Sequence, residues 1–228
     1  MSVRAKSRTV MSRLRSTGQS NNMKVALIKY NAGNIQSVKF ALNRIGIEPI
    51  LTDSIAEIQS ADKVIFPGVG EASSAMMYLK EKGLDSVIKN LKQPVLGICL
   101  GMQLMCKYSE EGNTNCLGIF NSSVKRFNSP FEGRQTEGQR DVTFKIPQIG
   151  WNNIYNLKSN LFKGVSENEF QYFVHGYYVE LGQNTIATTN YITEYSSALQ
   201  KDNFYGVQFH PEKSAKAGEQ ILKNFINL

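Results

Sequence analysis

Residues 94–103 read PVLGICLGMQ, and this stretch decides the fold. Residues 95–98 form a short apolar run with the character of a buried strand, and a helix opens at Leu100 directly after Cys99. Gly97 and Gly101 bracket the cysteine as G-x-C-x-G. That is the pattern of a nucleophile elbow, in which small neighbours let the chain turn so sharply that one side chain projects from the strand tip. A thiol placed there meets the unpaired N–H groups of a helix start, which favour thiolate over thiol. A free cysteine is also a small buried hydrophobe, and these ten residues leave both readings open.

Upstream, strand and helix patterns alternate. Residues 24–29 form an apolar strand, Asn31, Gly33 and Asn34 a turn, and residues 35–45 an amphipathic helix closed by Gly46. Residues 49–52 and 63–66 are further strands, with a short helical piece at 54–60 between them, and helical spacing returns over 72–82 and 84–91. Such alternation predicts an α/β fold. It is a three-layer, open, mostly parallel sheet of flavodoxin-like type with helices on both faces and the site at the carboxyl ends of the strands. The strand at 63–66 runs into Pro67, Gly68, Val69 and Gly70. A glycine-rich turn there bares backbone N–H groups and serves either as a plain tight turn or as an oxyanion site. Paired with the elbow, it fits two donors, one from Leu100 N–H and one from the PGVG loop.

Beyond the elbow the helix continues to about Tyr108, and after Gly112 the chain turns to short segments rich in β-branched and aromatic residues. Strands are expected at 117–120, 124–127, 142–146, 153–155, 170–174, 177–180 and 185–191, as antiparallel additions to the sheet. Residues 128–140 read as a polar loop, mobile or facing a partner. A strand at 197–200, a turn at Asp202 and Asn203, a strand at 204–209 and an amphipathic helix over 218–228 close the chain.

The last strand ends in His210, Pro211 and Glu212. The chain has two histidines, so the search for a base is short. His175, inside YFVHGYY, suits a packed and hydrogen-bonded ring. His210 stands at a strand tip like Cys99, and Pro211 stiffens the turn so that Glu212 reaches back to hold the imidazole tautomer. Two histidines 35 positions apart and scattered cysteines match no metal-ligand spacing, and neither a metal nor another cofactor is expected.

Composition bounds the function. At 228 residues and 41% hydrophobic content, the chain suits one medium globular domain. The longest apolar run falls short of the roughly 18 residues of a membrane span. Of the net charge of +7, Arg4, Lys6, Arg8, Arg13 and Arg15 supply five, with no acidic residue before position 23. We therefore expect residues 1–22 to be a basic, disordered leader ahead of a domain at 23–228, and expect no nucleic-acid partner. An odd count of three cysteines with no secretory signal points to a reducing, cytoplasmic setting.

Together, GICLGMQ, PGVG, PQIGWN at 147–152, YFVHGYY and QFHPEKS at 208–214 resemble the class I glutamine amidotransferases, and within them the glutaminase subunits of imidazole glycerol phosphate synthase. The resemblance covers residues 23–228. It implies a Cys99–His210–Glu212 triad that releases ammonia from glutamine through a thioester, with Gly68, Val69 and Leu100 in the oxyanion and substrate region and Gln103 and Glu111 holding glutamine. It also implies a heterodimer with a (β/α)₈ cyclase in histidine biosynthesis, which receives the ammonia across an interface lined by Tyr172 and Lys213. A paralogue feeding another cyclase-like partner, as in surface sugar synthesis, would carry the same motifs, and a non-catalytic regulatory subunit would not need the intact triad. The chain departs from the family at Lys29-Tyr30-Asn31, at Gln148 and at Gly176; the last removes a side chain beside the glutamine site.

Overall fold

The computed structural model describes residues 23–30, 35–128, 135–137, 140–142 and 144–228. The leader, the turn at Asn31, Gly33 and Asn34, and most of the polar loop at 128–140 lie outside the described residues.

The first half alternates as its patterning requires. In order come β1 (Val25–Ile28), α1 (Ile35–Arg44), β2 (Ile50–Thr52), α2 (Ile55–Ser60), β3 (Lys63–Gly68), α3 (Ala72–Glu81), α4 (Leu84–Asn90), β4 (Val95–Cys99) and α5 (Leu100–Met105). Then follow β5 (Tyr108–Ser109), β6 (Thr114–Asn115), β7 (Ser123–Arg126), β8 (Gln135–Glu137), β9 (Arg140–Val142), β10 (Gln148–Ile154), β11 (Glu169–His175), β12 (Tyr177–Val179), β13 (Thr185–Tyr191), β14 (Thr193–Lys201), β15 (Phe204–Val207) and α6 (Ala215–Ile226).

Among the described residues, the main sheet runs β2-β1-β3-β4-β15-β14-β12-β7-β5-β6, with β13 on β14. The five strands from β2 to β15 are parallel. Every residue of β1, β3 and β4 is buried, as expected of strands covered on both faces. Because successive side chains point to opposite faces, Val25, Leu27, Ile65 and Leu96 pack with α1 and α6 on one side. Ala26, Ile28, Val64 and Phe66 pack with α2, α3, α4 and α5 on the other. No helix among the described residues is long and apolar enough to cross a membrane.

Several expectations change. Residues 117–120 form no strand: Leu117, Ile119 and Phe120 are buried, and the N–H groups of Leu117, Gly118 and Phe120 bond instead to the carbonyls of Leu104, Cys106 and Met105. A short apolar run reads as a strand, yet here the unpaired carbonyls at the end of α5 capture its donors. That helix ends at Met105 rather than near Tyr108, because Tyr108 and Ser109 pair with β7. Finally, the segments at 153–155 and 170–174 do not join the main sheet. They belong to β10 and β11, which pair with each other from Gln148↔His175 to Ile154↔Glu169 as a separate ribbon. One face of it buries Ile154 and Phe173 in the core, while Ile149, Trp151 and Phe170 on the other are exposed. Of the strand expected at 142–146, residues 144–146 are irregular and Val142 ends β9.

Candidate active site

The elbow is a strained turn clamped by close backbone approach. Cys99 ends β4 with φ 53° and ψ −111°, a conformation that costs a residue with a Cβ on the order of 1–3 kcal/mol. Contact between α5 and the sheet holds it there. A Cβ on Gly101 would fall 1.8 Å from the Phe66 carbonyl oxygen, and one on Gly97 would fall 2.8 Å from both the Gly101 carbonyl carbon and the Met102 backbone nitrogen. The bracketing glycines are therefore required by space. Gly206 on β15 does the same for Met102, whose Cγ would lie 2.4 Å from a Cβ there. Nothing in the sequence around Gly206 signals this contact, since it depends on which strand neighbours β4.

That neighbour delivers the base. β15 runs parallel to β4 with Val207 opposite Ile98, so the chain leaving β15 passes the cysteine at the same end of the sheet. The His210 N–H donates to Tyr172 O at 2.8 Å, and a single 3₁₀ turn over Pro211–Lys213 brings Glu212 Oε1 to 2.8 Å from His210 Nδ1. Both side chains are buried. Burial by itself would lower the imidazole's proton affinity. The charge of Cys99 and its hydrogen bond, with Glu212 behind them, outweigh burial and push His210 up to about 10. A histidine so held is an imidazolium at neutral pH, beside sulfur on one side and carboxylate on the other.

Cys99 opens onto a cavity of about 270 Å³, suited to a small molecule. Of the residues singled out from sequence, Val69, Leu100, Gln103 and Glu111 line it together with Cys99. Gly68, His210 and Glu212 lie behind the sulfur, around a cavity of about 10 Å³. Tyr172 and Lys213 are at the rim of the ribbon, with Lys213 Nζ 5.7 Å from the Tyr172 ring centre.

PGVG differs in detail from a plain turn. β3 continues through Pro67 and Gly68, and Gly68 pairs with Cys99, which sets Val69 at the cavity mouth. Gly68 is glycine because a Cβ would sit 2.0 Å from the Tyr30 hydroxyl, and the positive φ of the loop falls on Gly70, at 132°. Leu100 opens α5, so its N–H has no helical carbonyl behind it.

The polar lining is organised. Gln103 Nε2 donates to Tyr177 O at 3.0 Å and to Gln208 Oε1 at 2.8 Å. Glu111 Oε2 accepts the Ala72 N–H at 3.0 Å, at the start of α3. Burial raises the Glu111 pKa, the Ala72 N–H opposes that, and the Glu71 charge adds to it. Gly176 lines the cavity with Pro147 Cβ 3.8 Å from where its own Cβ would be, so a side chain at this position would have had room.

His175, expected as a packed ring, is packed and also lines the cavity. Its Nδ1 donates to Tyr177 O at 2.7 Å, which leaves Nε2 to face the Tyr195 hydroxyl at 3.2 Å. Burial, partly opposed by the Tyr177 carbonyl and reinforced by the charge of His210, lowers its pKa to about 4. The two histidines are thus driven in opposite directions, one neutral and one charged.

Comparison with known proteins identifies the family. The family model for class I glutamine amidotransferases matches residues 11–228. The imidazole glycerol phosphate synthase subunit HisH of Bacteroides fragilis (strain YCH46) is 58% identical over 206 residues, which covers 90% of this chain and 100% of that protein. The corresponding subunit of Haemophilus influenzae (strain ATCC 51907) is 44% identical over 203 residues, covering 89% and 96%. A solved glutamine amidotransferase from Thermotoga maritima superposes with a TM-score of 0.58 at 18% identity, over 90% of this chain and 83% of that one, a likeness of fold.

Proposed function

The chain belongs to the class I glutamine amidotransferases, and from that premise we propose that it is the glutaminase subunit of an imidazole glycerol phosphate synthase in histidine biosynthesis. The observation that carries this reading is the buried Cys99–His210–Glu212 array, with Nδ1 to Oε1 at 2.8 Å, opening on a cavity of about 270 Å³.

The chemistry follows from the charges. The Cys99 thiolate attacks the side-chain amide carbon of glutamine, and the oxygen of the tetrahedral adduct takes up the charge. The N–H groups of Leu100 and Val69 are the donors for that oxyanion, and loss of one such donor typically costs about 10²–10³ in rate. The His210 imidazolium gives its proton to the leaving nitrogen, so ammonia departs and a thioester remains. Neutral His210 then takes a proton from water as water attacks, which releases glutamate and regenerates the thiolate. Glu212 keeps Nδ1 protonated and Nε2 turned to the sulfur throughout. Gln103 and Glu111 hold the amino-acid end of the substrate: Glu111 supplies a carboxylate for the ammonium group, and the Gln103 carbonyl remains for an N–H.

The partner is a (β/α)₈ cyclase in a heterodimer, which takes the ammonia without its release to bulk water. The ribbon face supports this, because Ile149, Trp151 and Phe170 are exposed beside Tyr172 and Lys213. A cluster of large apolar side chains on one face marks an interaction surface. The amidotransferase domain proper occupies residues 23–228, a stretch as long as the 206 residues over which the relative from Bacteroides fragilis aligns. The cytoplasmic setting is supported by Cys99, Cys106 and Cys116 all standing as free thiols.

Replacing Cys99 tests the assignment. With the cyclase present, Cys99→Ala abolishes glutamine-dependent synthesis, while added ammonium salts still support the cyclase reaction. Glutaminase activity surviving in the variant would overturn the reading.

A further inference from the structure

A residue outside the triad also touches the reacting sulfur. Gln208 follows the last residue of β15, two positions before His210, and its side chain is fully buried. Its Nε2 lies 3.6 Å from Cys99 Sγ, and its Oε1 lies 2.8 Å from Gln103 Nε2.

The orientation of this amide is determined by a group that has no proton to give. Gln103 Nε2 is 3.0 Å from the backbone carbonyl of Tyr177, so the nitrogen of Gln103, with its two hydrogens, must face that carbonyl. Its second hydrogen then points at Gln208, which has to present oxygen. The Gln208 N–H₂ group is left facing the sulfur. Turned the other way, Gln208 would oppose two N–H donors at Gln103 and aim an oxygen at a thiolate, losing both contacts at once in a buried site where neither can be replaced by water.

We propose that Gln208 is a further catalytic residue, whose amide N–H donates to the Cys99 sulfur and stabilises the thiolate, and that Gln103 is the positioning residue that fixes this amide. The role recurs in both halves of the reaction: the donor favours the nucleophile in acylation and the sulfur as leaving group when the thioester is hydrolysed. It also gives Gln103 a second task, since the same nitrogen that orders Gln208 sits on the side chain that faces the substrate. The inference rests on Cys99 being the nucleophile.

The test is the pH profile of Cys99 alkylation by iodoacetamide, read at that residue by peptide mass spectrometry. Cys116 does not interfere near neutral pH, because burial, with the charge of Glu111 added, pushes it up to about 12. Other titratable groups that face the sulfur are His210 and Tyr30, and Glu111, His175 and Tyr177 line the same cavity. All five are kept in the variants.

Gln208→Met keeps length and volume but removes the donor. A hydrogen bond to a charged group is worth enough to move the alkylation midpoint upward by about one pH unit, or about tenfold slower alkylation below the midpoint. Gln103→Met, which leaves Gln208 in place but free to turn, moves it the same way by less, and carries the test if Gln208→Met does not fold. A midpoint equal to the wild type's in a folded variant overturns the proposal. If the wild-type thiol itself reacts only at the ordinary cysteine pH of about 8.5, the nucleophile reading fails instead. A reactive wild type with unchanged variants removes Gln208 alone.

Discussion

Acid should destabilise this protein through His175. The ring is buried, and its pKa falls from 6.5 to about 4, first because burial penalises the charged form and further because charged His210 repels it. The folded state therefore binds fewer protons than the unfolded state between those values, and stability is lost as pH falls through 6.5 toward 4. At about 1.4 kcal/mol per pH unit, the full effect is roughly 3 kcal/mol, and roughly 2 kcal/mol of it is gone by about pH 5. The chain has two histidines. The other one, His210, is pushed up to about 10, so its own stabilising contribution grows as pH falls through 6.5, but it is the same in a His175 variant and cancels when that variant is compared with the wild type. Urea unfolding of the wild type and of His175→Asn at a series of pH values from about 7.5 to about 5 measures the difference. Neutral at all these values, the asparagine variant should lose about 2 kcal/mol less over the range than the wild type does. Any contribution from Glu111, whose pKa is raised, is common to both proteins and cancels. Parallel stability profiles for the two proteins would refute the reasoning, because they would mean that His175 is charged in the folded state or hydrated as the pH falls.

Two further outcomes are expected. Glu212→Gln should reduce glutamine turnover less than His210→Ala does, because the carboxylate holds Nδ1 at 2.8 Å while the imidazole moves the protons; the kcat values with the cyclase present give the order. Gly101→Ala should lower stability by about 1–3 kcal/mol, the usual cost of overpacking, because its methyl would press on the Phe66 carbonyl 1.8 Å away; a thermal melt of the variant and wild type checks it.

The amino-acid sequence by itself determined the parallel half of the sheet, and it singled out Cys99, His210 and Glu212 as candidate nucleophile, base and orienting carboxylate. These were legible because their causes are local. Continuous apolar strands, glycines around Cys99 and a proline between His210 and Glu212 each act within a few residues of the chain. The meaning of the remaining positions was decided by tertiary structure. Residues 117–120 have the composition of a strand, but the carbonyls that end α5 were nearer than any strand partner. β10 and β11 have strand composition too, and whether they extend the main sheet or stand apart depends on pairing energies that no single segment contains. The glycine at position 68 is explained by the hydroxyl of Tyr30, 38 residues away, and Gly206 by Met102, more than 100 residues away. Gln208 became interpretable only once β15 was placed beside β4 and α5, since a hydrogen bond from an amide to a sulfur 109 residues distant leaves no periodicity or spacing to read.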